Sequence, residues 1–429
     1  MTRWIGKELG RAVRLGVRML LALTGALARP TTAQTPPTRP AQPTLRRVLE
    51  IALERNPDIR QARLRVDSAH GERRIARALP NPVYTGIPGT PYQYSVALPI
   101  DLTPQRLFRT RAARHGEDAT AFGRSDVIRQ VVFNVRQGFY DLLLADAQRE
   151  ITLEQRDIFQ QLLRADSTRL RAGDIPERDL VKSELELARA EAALTRADAG
   201  VRAARLALQA LMGIAVPDTA FRVAGALQAA PELTVALDTL LPLALARRPD
   251  LAAAREQVDQ SRSVKALATA SLFPVPTLSV VYQQDPFQSS ARPFQTSGLQ
   301  YSFGLALPIP LFYWNGGERQ RANASLAGAE VAVERTRVQI ESDVAVAIGG
   351  FRSARVLAER YQGGLLQKSA AALETSRFAY QQGAISLLEL LDAIRTWGDT
   401  RSEYNTAVHD YWLAAYALTR GTGVEVVRE

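Results

Sequence analysis

Two carboxylates interrupt a leucine-rich run near the C-terminal end of the chain. Glu389 and Asp392 stand three residues apart in YQQGAISLLELLDA, a spacing that places both on one face of a helix. Ser386 and Glu389 have the spacing of a capping box, in which the two side chains satisfy backbone N–H groups where a helix begins. Gly383 could end the preceding helix. The stretch therefore predicts a break between two helices, followed by acidic groups.

The other polar residues show no arrangement typical of an active site. His70, His115 and His409 read as isolated among helical residues, and two glycine pairs lack the spacing of a phosphate loop. The absence of cysteine excludes disulfides and thiolate chemistry. Arginines in residues 46–77 alternate with acidic residues, as on a solvated face. We predict no enzyme activity, metal site, cofactor or nucleic-acid partner.

The N-terminal stretch has the order of parts of a secretory signal peptide. Basic residues precede an apolar run at 19–28, and small residues follow it, so we expect residues 1–33 to be a signal, cleaved after residue 28 or 33. A membrane anchor is the alternative, although ten apolar residues are few beside the roughly 20 of a spanning helix. Part of the formal net charge of +10 belongs to this segment.

The chain is predicted to contain two similar halves. Asn56-Pro-Asp matches Arg248-Pro-Asp, Ala97-Leu-Pro-Ile matches Ala306-Leu-Pro-Ile, and a glycine break follows a long helix in each half, at Gly173 and Gly383. The DIPE sequence after Gly173 resembles a capped helix start. The predicted segments of the first half are repeat 44–213, strand hairpin 83–98, long helix 104–172 and helix 176–212. After a linker at 214–232, those of the second half are repeat 233–421, strand hairpin 277–307, long helix 318–382, helix 386–420 and a tail at 422–429.

The helix after each break carries a heptad pattern. A large residue recurs every seven positions, with a mostly small residue three positions later, as close-packed antiparallel helices require. The large positions are Leu180, Leu187, Leu194, Val201 and Leu208 in the first half, and Leu390, Trp397, Tyr404, Tyr411 and Leu418 in the second. The small positions begin with Ser183 and Ala190 in the first half and with Ala393 and Thr400 in the second.

Helix length and strand number bear on a membrane role. Helices over 104–172 and 318–382 would each reach about 100 Å if unbroken, far beyond a bilayer core. The strand hairpins alternate apolar with small or polar residues, as a barrel wall does, although the first is short for a spanning hairpin. Four strands cannot close a barrel, so spanning would require oligomerisation. A surface hairpin on a periplasmic protein is the alternative.

This organisation resembles the TolC-like outer-membrane factor family, the exit ducts of tripartite efflux pumps and type I secretion systems. The matching motifs, over about residues 44–421, are Asn56-Pro-Asp and Arg248-Pro-Asp, Leu79-Pro-Asn-Pro, Leu98-Pro-Ile and Leu307-Pro-Ile-Pro, and the two glycine breaks. The resemblance implies a mainly α fold with a small β part. It also implies a homotrimer that forms a 12-stranded outer-membrane β-barrel on a 12-helix periplasmic barrel, which opens when a periplasmic adaptor and an inner-membrane pump dock.

The resemblance also assigns residues at the periplasmic tip. Glu389 and Asp392 match an acidic pore constriction, where a ring of carboxylates would favour cations. Asp179 and Tyr380 match a pair that holds the closed tip together. The positions of the hairpin turns, where the adaptor would bind, are Gly173, Asp174, Ile175, Gly383, Ala384, Ile385 and Ser386. Ile385 replaces a residue that is often basic in the family, so one latch is absent from the sequence.

Several functional alternatives stay open at the level of the sequence. The chain could serve a pump of the RND type, a type I secretion system, or act as a non-channel periplasmic scaffold or adaptor. Adaptors usually carry one helical hairpin, whereas two duplicated pairs favour the channel. Leu79-Pro-Asn-Pro is similar to the heavy-metal branch of the family, but three methionines and no cysteine offer no soft-metal relay. Metals, drugs and small organic molecules are all possible substrates.

Overall fold

The chain folds as two similar series of elements. The computed structural model describes residues 42–89, 92–227, 232–233, 236–284 and 299–428, so the predicted signal peptide and the loop at 285–298 lie outside the described residues. The first series is α1 (Leu45–Arg55), α2 (Pro57–Arg77), β1 (Val83–Ile87), β2 (Tyr92–Pro99), α3 (Pro104–Ala172) and α4 (Glu177–Leu211). After β3 (Glu232–Leu233), the second is α5 (Leu240–Arg247), α6 (Pro249–Ala270), β4 (Thr277–Gln284), β5 (Leu299–Ala306), α7 (Gly316–Arg360), α8 (Leu366–Gln381), α9 (Leu387–Thr422) and β6 (Val427–Arg428).

The first long helix has the bounds that the sequence predicts, but the second is interrupted. A π-helical turn at Tyr361–Leu365 separates α7 from α8. Gly364 there has φ 118°, a conformation that favours glycine, and Gly363 has non-helical ψ 19°. The prediction of one helix over 318–382 is therefore wrong at this glycine pair. Among the described residues, no helix is both long enough and apolar enough to cross a membrane.

The two strand hairpins join into one antiparallel sheet. Its order is β1-β2-β4-β5, so strands from both halves meet at the β2–β4 pair, where Val96 lies opposite Val280. Pro99 belongs to β2, one residue beyond the predicted end of the first hairpin. The outermost strands, β1 and β5, each pair on one side in the described residues.

One face of this sheet is apolar and exposed. The register places Tyr84, Val96, Val280 and Phe303 in one row across the four strands, and tyrosines at 94, 282 and 301 in the next row of the same face. Neighbouring tyrosine rings lie 6.2 and 5.2 Å apart along that second row. The opposite face carries mainly small and polar residues, such as those at 85, 95 and 302. This alternation, which the sequence predicts, suits a wall with lipid on one side and water on the other.

The helices pack around two apolar clusters, and the heptad positions face them. The large cluster contains Val135 of α3, Leu208 of α4, Ile340 of α7 and Tyr416 of α9. All ten of the large heptad positions are buried or half-buried, which confirms the predicted seams. The smaller cluster, which we call the tip cluster, lies near the glycine breaks and contains Phe159, Leu162, Ala190, Leu373, Tyr380, Leu387, Leu390, Leu391, Ile394 and Trp397.

In each half, the residue before the Pro-Asp dipeptide bonds to the C-terminal end of the helix that follows the glycine turn. The Asn56 side chain caps α2 by accepting from the N–H of Asp58 at 2.9 Å, and its amide donates to the Leu211 carbonyl at 2.8 Å. In the second half Arg248 donates to the Gly421 carbonyl at 3.3 Å. Residues 211 and 421 are themselves repeat equivalents, so the same junction is built with an amide in one half and a guanidinium in the other.

The boundary between the predicted linker and the second repeat pairs with the predicted tail in an additional small sheet. Leu233 of β3 lies opposite Val427 of β6. Val426 and Val427 are buried against the large cluster. The pairing brings the chain's C-terminal strand to the junction between the halves, and no hydrophobic periodicity in so short a segment indicates it.

Candidate functional site at the helical tip

Both helical hairpins end in the same kind of turn. Gly173 and Gly383 adopt left-handed backbone conformations, with φ 82° and 74°. In the first turn, the N–H of Gly173 donates to the Leu170 carbonyl at 3.0 Å and the N–H of Asp174 to the Arg169 carbonyl at 2.9 Å. The turn at Gly383 repeats this pattern, at 3.0 and 2.9 Å. These bonds form a Schellman motif, which requires a positive φ and thereby explains the glycines.

The helices that return from the two turns begin differently. In α9 the N–H of Ser386 donates to Glu389 Oε2 at 3.0 Å, and the N–H of Glu389 donates to Ser386 Oγ at 3.3 Å, so the predicted capping box is confirmed. In α4 the capping position is held by Pro176, and no side chain caps the helix. The prediction of a similar capped start at residues 174–177 is wrong, because proline supplies no side-chain acceptor there.

The side chains of the acidic pair are exposed on the second hairpin. Glu389 and Asp392 are both exposed, whereas the neighbouring Leu390 is buried in the tip cluster. The repeat-equivalent positions in α4 are Asp179 and Lys182, which form an ion pair at 3.6 Å. At these equivalent positions, the second hairpin therefore has two acidic groups, whereas the first has a pair of opposite charges.

The tyrosine at the tip is held by a carboxylate that the sequence analysis did not single out. The Tyr380 hydroxyl donates to Asp166 Oδ1 at 2.8 Å, and the Ser183 hydroxyl donates to Asp166 Oδ2 at 2.5 Å. Asp166 and Ser183 are fully buried, and Tyr380 is nearly so. Burial, reinforced by the bond to Asp166, raises the pKa of the Tyr380 hydroxyl. One carboxylate thus ties together α3, α4 and α8.

Within one chain, the hydrogen-bond partner of Tyr380 differs from the Asp179 of the predicted pair. Within the described part of the chain its hydroxyl is bonded to Asp166, whereas the Asp179 carboxylate forms ion pairs with Arg178 and Lys182 at 3.7 and 3.6 Å. Asp179 lies in the first turn of α4, beside basic residues, and Asp166 lies two turns before the end of α3, facing the tyrosine. A role for Asp179 between chains stays a prediction.

A basic side chain also contacts the tyrosine. The Arg169 guanidinium lies 5.0 Å from the centre of the Tyr380 ring, a cation–π distance, and donates to the Tyr380 carbonyl at 3.4 Å.

Among the predicted turn residues, Ile385 packs against the tip cluster. The remaining predicted turn residues lie at the surface, with Ile175 half-buried and Gly173, Asp174, Gly383, Ala384 and Ser386 exposed.

A signal for the buried network was present in the heptads. Ser183 occupies the position that alanine fills in the following heptads, and a buried hydroxyl at such a position requires a partner. The identity of that partner depends on the packing of α3 against α4, which the spacing within one helix does not specify. The repeat equivalents of Asp166, Ser183 and Tyr380 are Ser376, Ala393 and Leu170, so the network has no counterpart at the equivalent positions.

Comparisons with known proteins agree with this architecture. The family model described as outer membrane efflux protein matches residues 90–214 and 240–424. The chain is 27% identical over 390 residues to the cobalt-zinc-cadmium resistance protein CzcC of Cupriavidus metallidurans, covering 89% of this chain and 90% of CzcC. It is also 27% identical over 378 residues to the cation efflux system protein CusC of Escherichia coli O157:H7, covering 82% of this chain and 80% of that protein.

A solved structure shares the fold. The CmeC outer membrane channel of Campylobacter jejuni superposes with a TM-score of 0.77, covering 89% of this chain and 86% of that one, at 16% sequence identity. At that identity the likeness concerns the fold alone, and it extends over both series of helices and strands.

Proposed function

Because the chain belongs to the outer membrane efflux protein family, we propose that it is the outer-membrane exit duct of a tripartite efflux pump, most of it periplasmic. The observation that supports this most directly is the sheet with one exposed apolar face, joined to helices that run far beyond a bilayer. A passive duct performs no reaction of its own. Its work is to let a substrate pass from the periplasm to the exterior when the tip opens.

A duct of this kind requires more than one copy of the chain. The four strands expose pairing edges at β1 and β5, and closed barrels need about eight strands or more. Three copies would contribute twelve strands and leave no edge unpaired. The aromatic residues at 312–314, which follow β5 and are all exposed, fit the interfacial belt that flanks such a wall.

The proposed assembly has a direct test. The protein should fractionate with the outer membrane, migrate as a trimer that heating dissociates, and conduct ions in planar bilayers. A monomer that mild salt releases from the periplasm would overturn the duct in favour of a periplasmic scaffold.

Metal cations are the substrate class that the relatives favour. CzcC is named a cobalt-zinc-cadmium resistance protein and CusC a cation efflux system protein, and we extend that class to this chain. A pump of the RND type with a periplasmic adaptor would then be the partner system, and the glycine turns at 173 and 383 would be the adaptor's contact points. Loss of resistance to cobalt, zinc or cadmium on deletion tests the substrate, whereas unchanged resistance would favour drugs or a secretion system.

Replacing Glu389 by glutamine and Asp392 by asparagine together should move the cation-to-anion permeability ratio toward unity. In a trimer the two exposed acids of each chain would give six carboxylates around the opening, a ring that attracts cations and repels anions. Reversal potentials under a KCl gradient measure the ratio, and block by multivalent cations should weaken with it.

A matched control for this change is available on α7. Glu334 and Glu341 are exposed and seven residues apart, so their replacement by glutamine removes the same charge well away from the tip. We expect this control to keep the wild-type permeability ratio. An unchanged ratio in the tip variant, or an equal shift in the control, would remove the acidic gate and leave the duct itself intact.

A further inference from the structure

Three ligand-type side chains meet between α3 and α6. His115 and Asp118 belong to α3, and Glu256 belongs to α6, which packs along it. One ligand atom from each of the three lies within 4.8 Å of the others. The closest approach, between His115 Nδ1 and Glu256 Oε2, is 2.8 Å. All three side chains are half-buried, so a small ion could reach them from water.

The arrangement depends on both sequence and packing. Asp118 follows His115 by three residues, which places the two on one face of α3. Glu256 completes the group from the facing helix. The prediction that His115 is isolated is therefore wrong: Asp118 lies three residues after it, and Glu256 is close only through the packing of α6 against α3.

We propose that His115, Asp118 and Glu256 bind a divalent transition-metal cation of the zinc or cobalt class. One imidazole and two carboxylates form a ligand set of the kind that zinc accepts, and three protein ligands leave a coordination position for water. The Arg114 guanidinium, 3.8 Å from Asp118 on a largely exposed side chain, would turn toward solvent when the ion binds. The site rests on these side chains and does not depend on the duct proposal.

A second histidine–glutamate pair, His70 and Glu117, has a basic neighbour in contact with its carboxylate. His70 Nδ1 lies 3.1 Å from Glu117 Oε1, and the other oxygen of Glu117 accepts from Arg73 at 3.0 Å. A guanidinium thus already occupies the second oxygen of Glu117, and its positive charge opposes a cation. His70 is therefore the matched control for His115.

The third histidine has carboxylates on opposite edges of its ring. His409 Nε2 lies 2.8 Å from Asp141 and Nδ1 lies 2.9 Å from Asp410, so the two carboxylates cannot share one ion with a single ring nitrogen. Burial lowers the pKa of His409, but its bonds to the two carboxylates outweigh that effect and raise it overall. This site favours an imidazolium that links α3 to α9 and competes against a metal.

Cobalt binding by the purified full-length protein in detergent tests the proposal. Titration with CoCl2, followed by visible absorption and calorimetry, should show one ion per chain. His115→Ala should weaken binding by more than about 100-fold, since even outer-shell changes at metal sites cost 10- to 100-fold, whereas His70→Ala should bind as the wild type does.

Further variants distinguish a loss of metal binding from a loss of folding. Asp118→Asn and Glu256→Gln keep the side-chain sizes and should each weaken binding, with the helical circular dichroism unchanged. Equal binding by wild type and His115→Ala, equal loss in His70→Ala, or no saturable binding by the wild type would each overturn the site. Bilayer conductance of the same preparations, measured without metal, separates this outcome from a failure of the duct proposal.

Discussion

Replacement of Arg248 by alanine should destabilise the helical part of the protein by about 3 kcal/mol, the low end of the range for removing one partner of a buried ion pair. The Arg248 side chain is buried, and its guanidinium donates to Asp250 at 2.5 and 3.1 Å and to Asp343 at 2.8 Å. These bonds connect the start of α6 to α7, and the bond to the Gly421 carbonyl adds α9. The carboxylates keep partial access to water, which moderates the cost.

The expected change is measurable as a shift in thermal unfolding. For a chain of this length, 3 kcal/mol corresponds to a decrease of about 4 °C in the midpoint followed by circular dichroism. The control is Arg247→Ala, which removes the same side chain from the adjacent exposed position and should change stability by less than about 0.5 kcal/mol. Equal midpoints for the two variants would show that the guanidinium contributes no more than a surface charge.

The effect of Arg248→Ala should also depend on pH, with a sign that the structure specifies. Burial raises the pKa of the Asp343 carboxyl, but the bonds from Arg248 and Gln339 outweigh this and lower it overall. A carboxyl whose pKa is lowered by folding contributes stability above its unfolded pKa and loses it as pH falls through the folded value. The difference in unfolding free energy between wild type and variant should therefore be largest at pH 7 and decrease below about pH 4.

The elements with local determinants could be predicted from the sequence. The seams follow from a seven-residue period, the capping box from the spacing of Ser386 and Glu389, and the turns from Gly173 and Gly383. Each depends on residues close together in the chain, so one helix or turn contains the whole signal. The strand hairpins were found for the same reason, because alternation with a period of two is a local pattern.

The features that the sequence did not predict depend on contacts between distant segments. A glycine pair within a helical pattern is compatible with a continuous helix, so the φ of 118° at Gly364 could not be predicted from the residue types alone. Asp166 is one of many polar residues on a long helix, and its two bonds depend on the packing of α4 and α8 against α3. The β3–β6 pair joins residues almost 200 positions apart.

The two helical hairpins differ in the side chains that they carry near the glycine turns. The turn geometry at Gly173 and Gly383 is shared. The second hairpin has acids at 389 and 392 where the first has Asp179 and Lys182, and it also carries the tyrosine that reaches across to Asp166. A trimer would therefore alternate two kinds of hairpin around its opening. The bond between Tyr380 and Asp166 is a buried link between the two kinds.

Removal of the Tyr380 hydroxyl by phenylalanine should increase channel conductance and destabilise the tip. The change leaves Asp166 Oδ1 buried without its donor, which costs about 1–3 kcal/mol. Tyr361→Phe is the matched control, because its hydroxyl also donates to a carboxylate, that of Glu403 at 2.7 Å, but at an exposed position where water can replace it. Single-channel conductance and the thermal midpoint are measured on both, and equal effects would contradict a specific latch.

A triple variant separates the gating role of this bond from its contribution to stability. In Tyr380→Phe combined with Asp166→Leu and Ser183→Ala all three members of the buried network become apolar. Such a replacement can be nearly neutral in stability, since no buried polar group of the network is left unpaired. If the bond is a latch, the triple variant should regain much of the lost thermal midpoint and still conduct more than the wild type. If the bond only supports packing, conductance should return to the wild-type value together with the midpoint, because a well-packed tip would then close without it.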